Sequence, residues 1–246
     1  TKKTFKRWMM IPSTARRIFS HFDLCLTSNY ETQKYLDVLK AKNIIHIGNL
    51  KMINNIDRKN LENRNSDFLR ENNFWLAAST HEGEEDFCID THLKIKEKIK
   101  SIITIIAPRH INRAISIYDI CKKNGLSAQI LNEDEKISEK KEIIIINTYG
   151  NLASFYKHSK SVFFGKSLLK KLEKTGGQSP IEAAQLGCKI YHGPYIYNFE
   201  EIYNFFRENE VAKKIDNSNE LAENIMIDLN SHSHENSQFI DTINKL

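Results

Sequence analysis

From Phe74 onward, short apolar runs alternate with longer stretches whose apolar residues recur at helical spacing. Trp75-Leu-Ala-Ala-Ser79, Ile102-Ile-Thr-Ile-Ile-Ala107, Ser127–Leu131, Ile143–Asn147, Val162-Phe-Phe164 and Lys189-Ile-Tyr-His192 are short and mostly apolar. They predict strands buried on both faces. The intervening stretches predict helices: Gly83–Lys100 with Phe87, Ile89, Leu93, Ile95 and Ile99 apolar, Ile111–Lys123 stopping near Gly125, Leu152–His158, Phe199–Glu208 and Ser218–Leu229, with a short strand near Val211. Strands alternating with helices predict an α/β fold, a mostly parallel sheet covered on both faces. Near the start, Phe22–Thr27 and Ile44–Gly48 read as strands flanking a helix over Asn29–Lys40, a βαβ unit. Residues 49–72 break the rhythm with polar, asparagine-rich sequence and mark the best domain boundary. The expected organisation is residues 1–50 as an incomplete domain, 51–72 as linker, 73–230 as a complete domain and 231–246 as a polar tail or helix.

Residues 175–187, Thr-Gly-Gly-Gln-Ser-Pro-Ile-Glu-Ala-Ala-Gln-Leu-Gly, stand out within the larger piece. Gly176 and Gly177 allow close backbone approach and positive φ. Ser179 suits a helix N-cap, Pro180 the first helical position, and Glu182 falls where a capping box needs a carboxylate. Ile181, Ala184 and Leu186 give that helix an apolar side and Gly187 ends it. Such an entry aims N–H groups and the positive end of the helix dipole at a ligand, usually a phosphate. The same residues also make an ordinary capped helix after a flexible loop. Glu182 suits closing the capping box, accepting hydrogen bonds from ribose hydroxyls, or both.

Composition narrows the partners. The chain has 246 residues, 40% hydrophobic and 27% charged, as a soluble globular protein does. A net charge of +5 suits an anionic substrate or membrane surface, but no clustered basic patch points to nucleic acid. Cys25, Cys88, Cys121 and Cys188 have no paired spacing, which argues against structural zinc and a disulfide framework and for a reducing cytoplasm. No apolar run approaches a membrane span and no signal peptide is visible. Residues 1–20 mix Lys2, Lys3, Lys6, Arg7, Arg16 and Arg17 with Phe5, Trp8, Met9, Met10, Ile11, Ile18 and Phe19. They suit a packed helix or contact with an anionic membrane surface.

The loops that follow the strands are chemically richer than those that precede them. In order they carry Ser79-Thr-His-Glu-Gly-Glu-Glu85, Pro108-Arg-His110, Asn147-Thr-Tyr-Gly-Asn151, Gly165-Lys-Ser167 with Gly176-Gly177, and His192–Glu200. Ligands of open parallel sheets sit outside the carboxyl ends of the strands. Glycines, cations, hydroxyls and carboxylates gathered there suit a nucleotide joined to a sugar. Gly83, Glu84, Lys166, Ser167, Gly176, Gly177 and Gln178 are the candidates for contact with donor or phosphate. His81, Glu84 and Glu85 lack a third ligand at helical spacing, so no metal site is read. Glu84 and Glu85 also suit the opening of the 83–100 helix, and Arg109 suits either a surface position or a charge-assisted contact to an anion. No serine elbow or Walker lysine motif occurs.

Five ordered motifs resemble the 3-deoxy-D-manno-octulosonic acid (Kdo) transferase family. They are Ala78-Ser-Thr-His-Glu-Gly-Glu-Glu85, Ala107-Pro-Arg-His110, Phe164-Gly-Lys-Ser-Leu168, Gly176-Gly-Gln-Ser-Pro-Ile-Glu-Ala184, and Gly193-Pro-Tyr with Asn198-Phe-Glu-Glu201. Gly48-Asn-Leu-Lys51 resembles that family's interdomain hinge, and the likeness runs over about residues 15–210. It implies a GT-B glycosyltransferase, two Rossmann-like domains. Here residues 1–50 would be the last part of the acceptor-side domain and 73–230 the domain that binds CMP-Kdo. It further implies transfer of Kdo to a lipid A precursor, lipid IVA, in lipopolysaccharide synthesis at the cytoplasmic face of the inner membrane. CMP-Kdo is then a substrate, with no separate cofactor and no metal. Carried over position by position, Pro108, Arg109, Tyr149, Gly150, Asn151, Ser179, Pro180, Ile181 and Glu182 would contact the nucleotide.

The departures from the family pattern are specific. Asn147 and Asn151 stand where the family has carboxylates, Lys166 where it has glycine, and Gln178-Ser179 where it has His-Asn. The family's general base, a glutamate early in the N-terminal domain, falls outside the matched part, so no catalytic base is assigned. Two other readings stay open: a truncated or inactive CMP-binding module, and another GT-B sugar-nucleotide enzyme such as a non-hydrolysing epimerase, whose UDP-sugar contacts are not found.

Overall fold

The structure is a computed structural model that describes residues 2–48, 56, 61–150 and 152–231. The chain divides into two units, the first ending at Asn55 and the second beginning at Ile56. In the first unit, helices α1 (Lys2–Trp8) and α2 (Pro12–Phe19) precede strand β1 (Cys25–Thr27), helix α3 (Tyr30–Val38) and strand β2 (Ile44–His46). β1 and β2 pair in parallel, as expected for a βαβ unit. Asn29 starts α3 by accepting a hydrogen bond from the Thr32 N–H at 2.7 Å, the standard N-cap contact. The rings of Phe5 and Tyr35 stack at 4.3 Å and fix α1 to α3.

The second unit is a wound sheet. In chain order it contains α4 (Ser66–Glu71), β3 (Phe74–Thr80), α5 (Glu85–Lys98), β4 (Ile103–Pro108), α6 (Ala114–Lys123), β5 (Ala128–Leu131), β6 (Ile143–Ile146), α7 (Leu152–His158), β7 (Ser161–Phe164), α8 (Ile181–Gln185), β8 (Lys189–His192), α9 (Glu200–Glu208), β9 (Ala212–Lys214) and α10 (Ser218–Asn230). Seven strands pair in the order β5-β6-β4-β3-β7-β8-β9, all parallel. Every residue of β4, β6 and β7 is buried, which accounts for their unbroken apolar runs. Each of the four isoleucines of β6 contributes about 1.5–3 kcal/mol on burial. Trp75, Ala77, Ile106, Ile143, Ile145 and Phe163 pack on α5, α6 and α10 on one face. On the other face Tyr156 of α7 meets Phe164, and α7 also contacts α4 and α8.

Residues 61–72 are not a free linker. Asn63 donates to Ser154 Oγ at 2.7 Å, Asn65 accepts from the Ile137 N–H at 2.9 Å, and Glu62 pairs with Lys157 and Arg70. The polar character that marks this stretch is used to strap it onto the second unit, and Ser66–Glu71 is helical. Residues 49–55 and 57–60, including most of the hinge-like Gly48–Lys51, lie outside the described residues, as does the tail from 232.

The 179–187 helix is shorter than its pattern predicts. It runs from Ile181 to Gln185, with Pro180 at the N-cap position and no side-chain cap bond, so Ser179 does not cap it. The preceding loop stays engaged as far as Gln178, whose carbonyl accepts from the Tyr203 hydroxyl at 3.0 Å. At the other end Gly187 (φ 92°) and Cys188 return N–H groups to Ala184 and Ala183 and close the turn. Barely more than one turn remains between these anchors.

Candidate functional site

The chain leaves β3 for β4 on one side of the sheet and leaves β7 for β8 on the other, so the strand order reverses at the β3/β7 pair. A crevice opens outside the carboxyl ends of strands at such a point. Here the loops after β3 and β7 are joined by a carboxylate of the protein itself. Glu84 is fully buried. Its Oε2 accepts the N–H groups of His81 at 2.9 Å and Lys166 at 2.6 Å, and its Oε1 those of Ser167 and Leu168, each at 2.9 Å. Four N–H donors compensate the desolvation of one buried charge. Glu84 is therefore a clamp between the β3 and β7 loops, and it does not face a ligand. Ser167, also fully buried, donates to the Phe164 carbonyl and accepts from the Gly193 N–H.

The twin glycines are likewise committed to the protein. The Gly176 N–H donates to the Leu172 carbonyl at 2.5 Å and the Gly177 N–H to the Lys166 carbonyl at 2.8 Å. A Cβ on residue 176 would lie 2.2 Å from the Tyr195 oxygen. Close approach at these glycines is between loops, not toward a phosphate, and neither N–H is left for one. Further bonds from Tyr195 N–H to Ser167 and from Asn198 N–H to Gly176 tie the post-β8 loop into the same block.

Outside this block the other candidates line one edge. Pro108 closes β4 and is buried, while Arg109 is exposed and its N–H donates to the Thr80 carbonyl at 2.9 Å. Tyr149, 65% exposed, and Gly150 follow β6, which pairs with β4. Asn151 lies outside the described residues. On the β7 side Gln178 and Ser179 are half-buried, Pro180 and Ile181 are buried, and Glu182 is exposed. Gly83 is exposed at the turn into α5, and Lys166 is half-buried. Lys166 holds φ at 58°, a left-handed conformation that costs a non-glycine residue about 1–2 kcal/mol. Its N–H bond to Glu84 maintains that conformation.

Two further arrangements have no signature in residue spacing. Glu85, fully buried, forms a two-bonded pair with Arg113 at 3.2 Å on each arm, 28 positions away in sequence. The imidazoles of His81 and His110 meet edge to face, centroids 5.9 Å apart, at the ends of adjacent strands β3 and β4. Burial lowers the His81 pKa, with Lys166 and His110 lowering it further; its bond to the Ser79 carbonyl and the charge of Glu84 oppose them.

A cavity of about 350 Å³ opens beyond β5 and β6, lined by Asn63, Asn132, Asp134, Thr148, Tyr149 and Phe155 among others. At the opposite edge of the sheet a cavity of about 470 Å³ is lined by Phe68, Lys100, Ile103, Glu139, Lys141 and Glu142 among others. That edge, plain in its sequence, thus holds a hollow that no motif marks.

No family model matches the chain. The 3-deoxy-D-manno-octulosonic acid transferase of Rickettsia felis is 27% identical over 221 residues, 89% of this chain and 47% of that protein. The enzyme of the same description from Haemophilus influenzae is 27% identical over 149 residues, 61% of this chain and 34% of that one. The chain spans about half the length, or less, of these curated relatives. Among solved structures, the C-terminal CMP-Kdo binding domain of WaaA from Acinetobacter baumannii superposes with a TM-score of 0.62 at 20% identity, covering 72% of this chain and 90% of that one. A putative UDP-N-acetylglucosamine 2-epimerase from Listeria monocytogenes gives 0.52 at 17%, covering 91% and 53%. At these identities the structural likenesses bear on fold alone. The chain is a sequence relative of the Kdo transferases with the α/β fold of a GT-B glycosyltransferase.

Proposed function

We propose that this chain carries the donor-binding part of a Kdo transferase. Its second unit holds CMP-Kdo, and the whole enzyme moves Kdo to a lipid A precursor, lipid IVA, at the cytoplasmic face of the inner membrane. The observation that carries the proposal is the placement of Arg109, Tyr149-Gly150 and Ser179–Glu182 at the carboxyl edge of one parallel sheet, on either side of the β3 and β7 loops that Glu84 joins. The donor then lies outward of the Glu84 clamp. Arg109 meets its phosphate in a charge-assisted contact, and Glu182 accepts hydrogen bonds from the ribose. As the acceptor hydroxyl attacks the anomeric carbon, CMP departs with its phosphate negative, and fixed cations at this edge stabilise that charge. The base that takes the acceptor's proton is assigned to no residue of this chain.

Membrane contact belongs to the same proposal. No described helix is long and apolar enough to cross a membrane. α1 and α2 carry Lys2, Lys3, Lys6, Arg7, Arg16 and Arg17 beside exposed Met10, Ile11 and Ile18, which suits peripheral contact with an anionic surface.

CMP is expected to raise the thermal midpoint of the protein, and UDP and GDP to do so much less. Arg109→Ala and Glu182→Ala are each expected to weaken CMP about tenfold, the loss of one hydrogen bond to a charged group. Titration calorimetry checks both. Equal stabilisation by all three nucleotides, or unchanged affinity in both variants, removes the site.

A further inference from the structure

We propose that His81, His110 and Lys166 form an oxyanion-binding pole that takes up a proton when it receives the phosphate or carboxylate of a nucleotide-linked acidic sugar. The inference rests on the donor-binding reading above. Three adjacent strand ends deliver the three groups: His81 follows β3, His110 follows β4, and Lys166 follows β7. The register brings Thr80 opposite Pro108, and the Arg109 N–H to Thr80 carbonyl bond locks the first two loops together. The Glu84 clamp fixes the third by holding the His81 and Lys166 N–H groups on the same oxygen.

The tautomer of His81 makes this pole proton-linked. Its Nδ1 lies 3.1 Å from the Ser79 carbonyl, which only accepts, so Nδ1 carries the hydrogen. In the neutral ring Nε2 then presents a lone pair, which repels an oxyanion. Binding an anion at Nε2 requires that nitrogen to take a proton from solvent and become a donor. The charged groups facing the ring are Glu84, Lys166 and His110. Burial, with Lys166 and His110 adding to it, lowers the His81 pKa and favours the neutral ring without ligand, and an arriving anion shifts that balance toward the charged ring.

The test is calorimetry of the full chain at pH 7.5 in buffers of different ionisation enthalpy, titrating CMP, cytidine and free Kdo. Uptake approaching about one proton per CMP bound is expected, with none for cytidine. The second ionisation of the CMP phosphate would release a proton, so uptake reports on the protein. His81→Asn keeps a donor for Ser79 but cannot take up the proton. It is expected to lose the uptake and to bind CMP roughly tenfold more weakly. Uptake with CMP alone places the phosphate at the pole, and uptake with free Kdo places the carboxylate there. CMP that binds the unmodified chain with no proton uptake, with none for Kdo either, overturns the pole and leaves the donor reading standing. CMP that fails to bind overturns both. The count on the unmodified protein decides the matter even if the variant does not fold.

Discussion

Glu84→Gln is expected to destabilise the second unit by about 4 kcal/mol, since hydrogen bonds to a charged group contribute roughly 1.5–3 kcal/mol each and buried donors left without an acceptor carry a further cost. Each carboxylate oxygen serves two N–H groups, one pair from His81 and Lys166, the other from Ser167 and Leu168. An amide of the same shape keeps one acceptor and turns two N–H donors of its own toward the other pair. The β7 loop then loses its anchor, and the Gly177 N–H bond to the Lys166 carbonyl loosens with it. Chemical denaturation should show the loss, and CMP affinity should fall with it. A midpoint that moves by less than the equivalent of about 1 kcal/mol would show that the clamp is dispensable.

Gly176→Ala is expected to cost about 3 kcal/mol, at the upper end for overpacking a close contact. The new Cβ would stand 2.2 Å from the Tyr195 oxygen and 2.9 Å from the Leu172 oxygen. Both obstacles are backbone, and neither moves alone. Tyr195 is tied to Ser167, and Asn198 to Gly176 itself. This outcome separates two roles for the glycine pair. If the glycines served only to admit a phosphate, the variant would keep its thermal midpoint and lose affinity. If they serve to pack three loops together, stability falls first. Parallel melting and CMP titration of the variant decide between them.

The strands and helices were legible because parallel strands buried on both faces leave unbroken apolar runs such as Ile143–Ile146, and the helices between them leave 3.6-residue periodicity. The boundary was less legible. Polar residues such as Glu62, Asn63 and Asn65 read as solvated linker, yet each finds a partner on the folded unit, and composition does not distinguish a polar strap from a free one. The chemically rich loops do follow the strands at one edge of the sheet. The part played by Gly176 and Gly177 was not legible, because a glycine that approaches a ligand and a glycine that approaches another loop look identical in sequence. Glu84 illustrates the same limit: a carboxylate at a helix start suggests dipole compensation, while its four N–H partners come from its own turn and from a loop more than eighty residues on. The His81–His110 pair and the Glu85–Arg113 pair depend on strand order, which no local pattern encodes.

The most direct test of the donor site is a map of backbone amide shifts in the isotope-labelled chain on adding CMP. The expected result is a set of perturbations confined to one edge of the sheet, at Arg109, Tyr149, Gly150, Gln178, Ser179, Ile181 and Glu182. Shifts gathered instead around Phe68, Lys100 and Glu139–Glu142, at the cavity on the opposite edge, would contradict it.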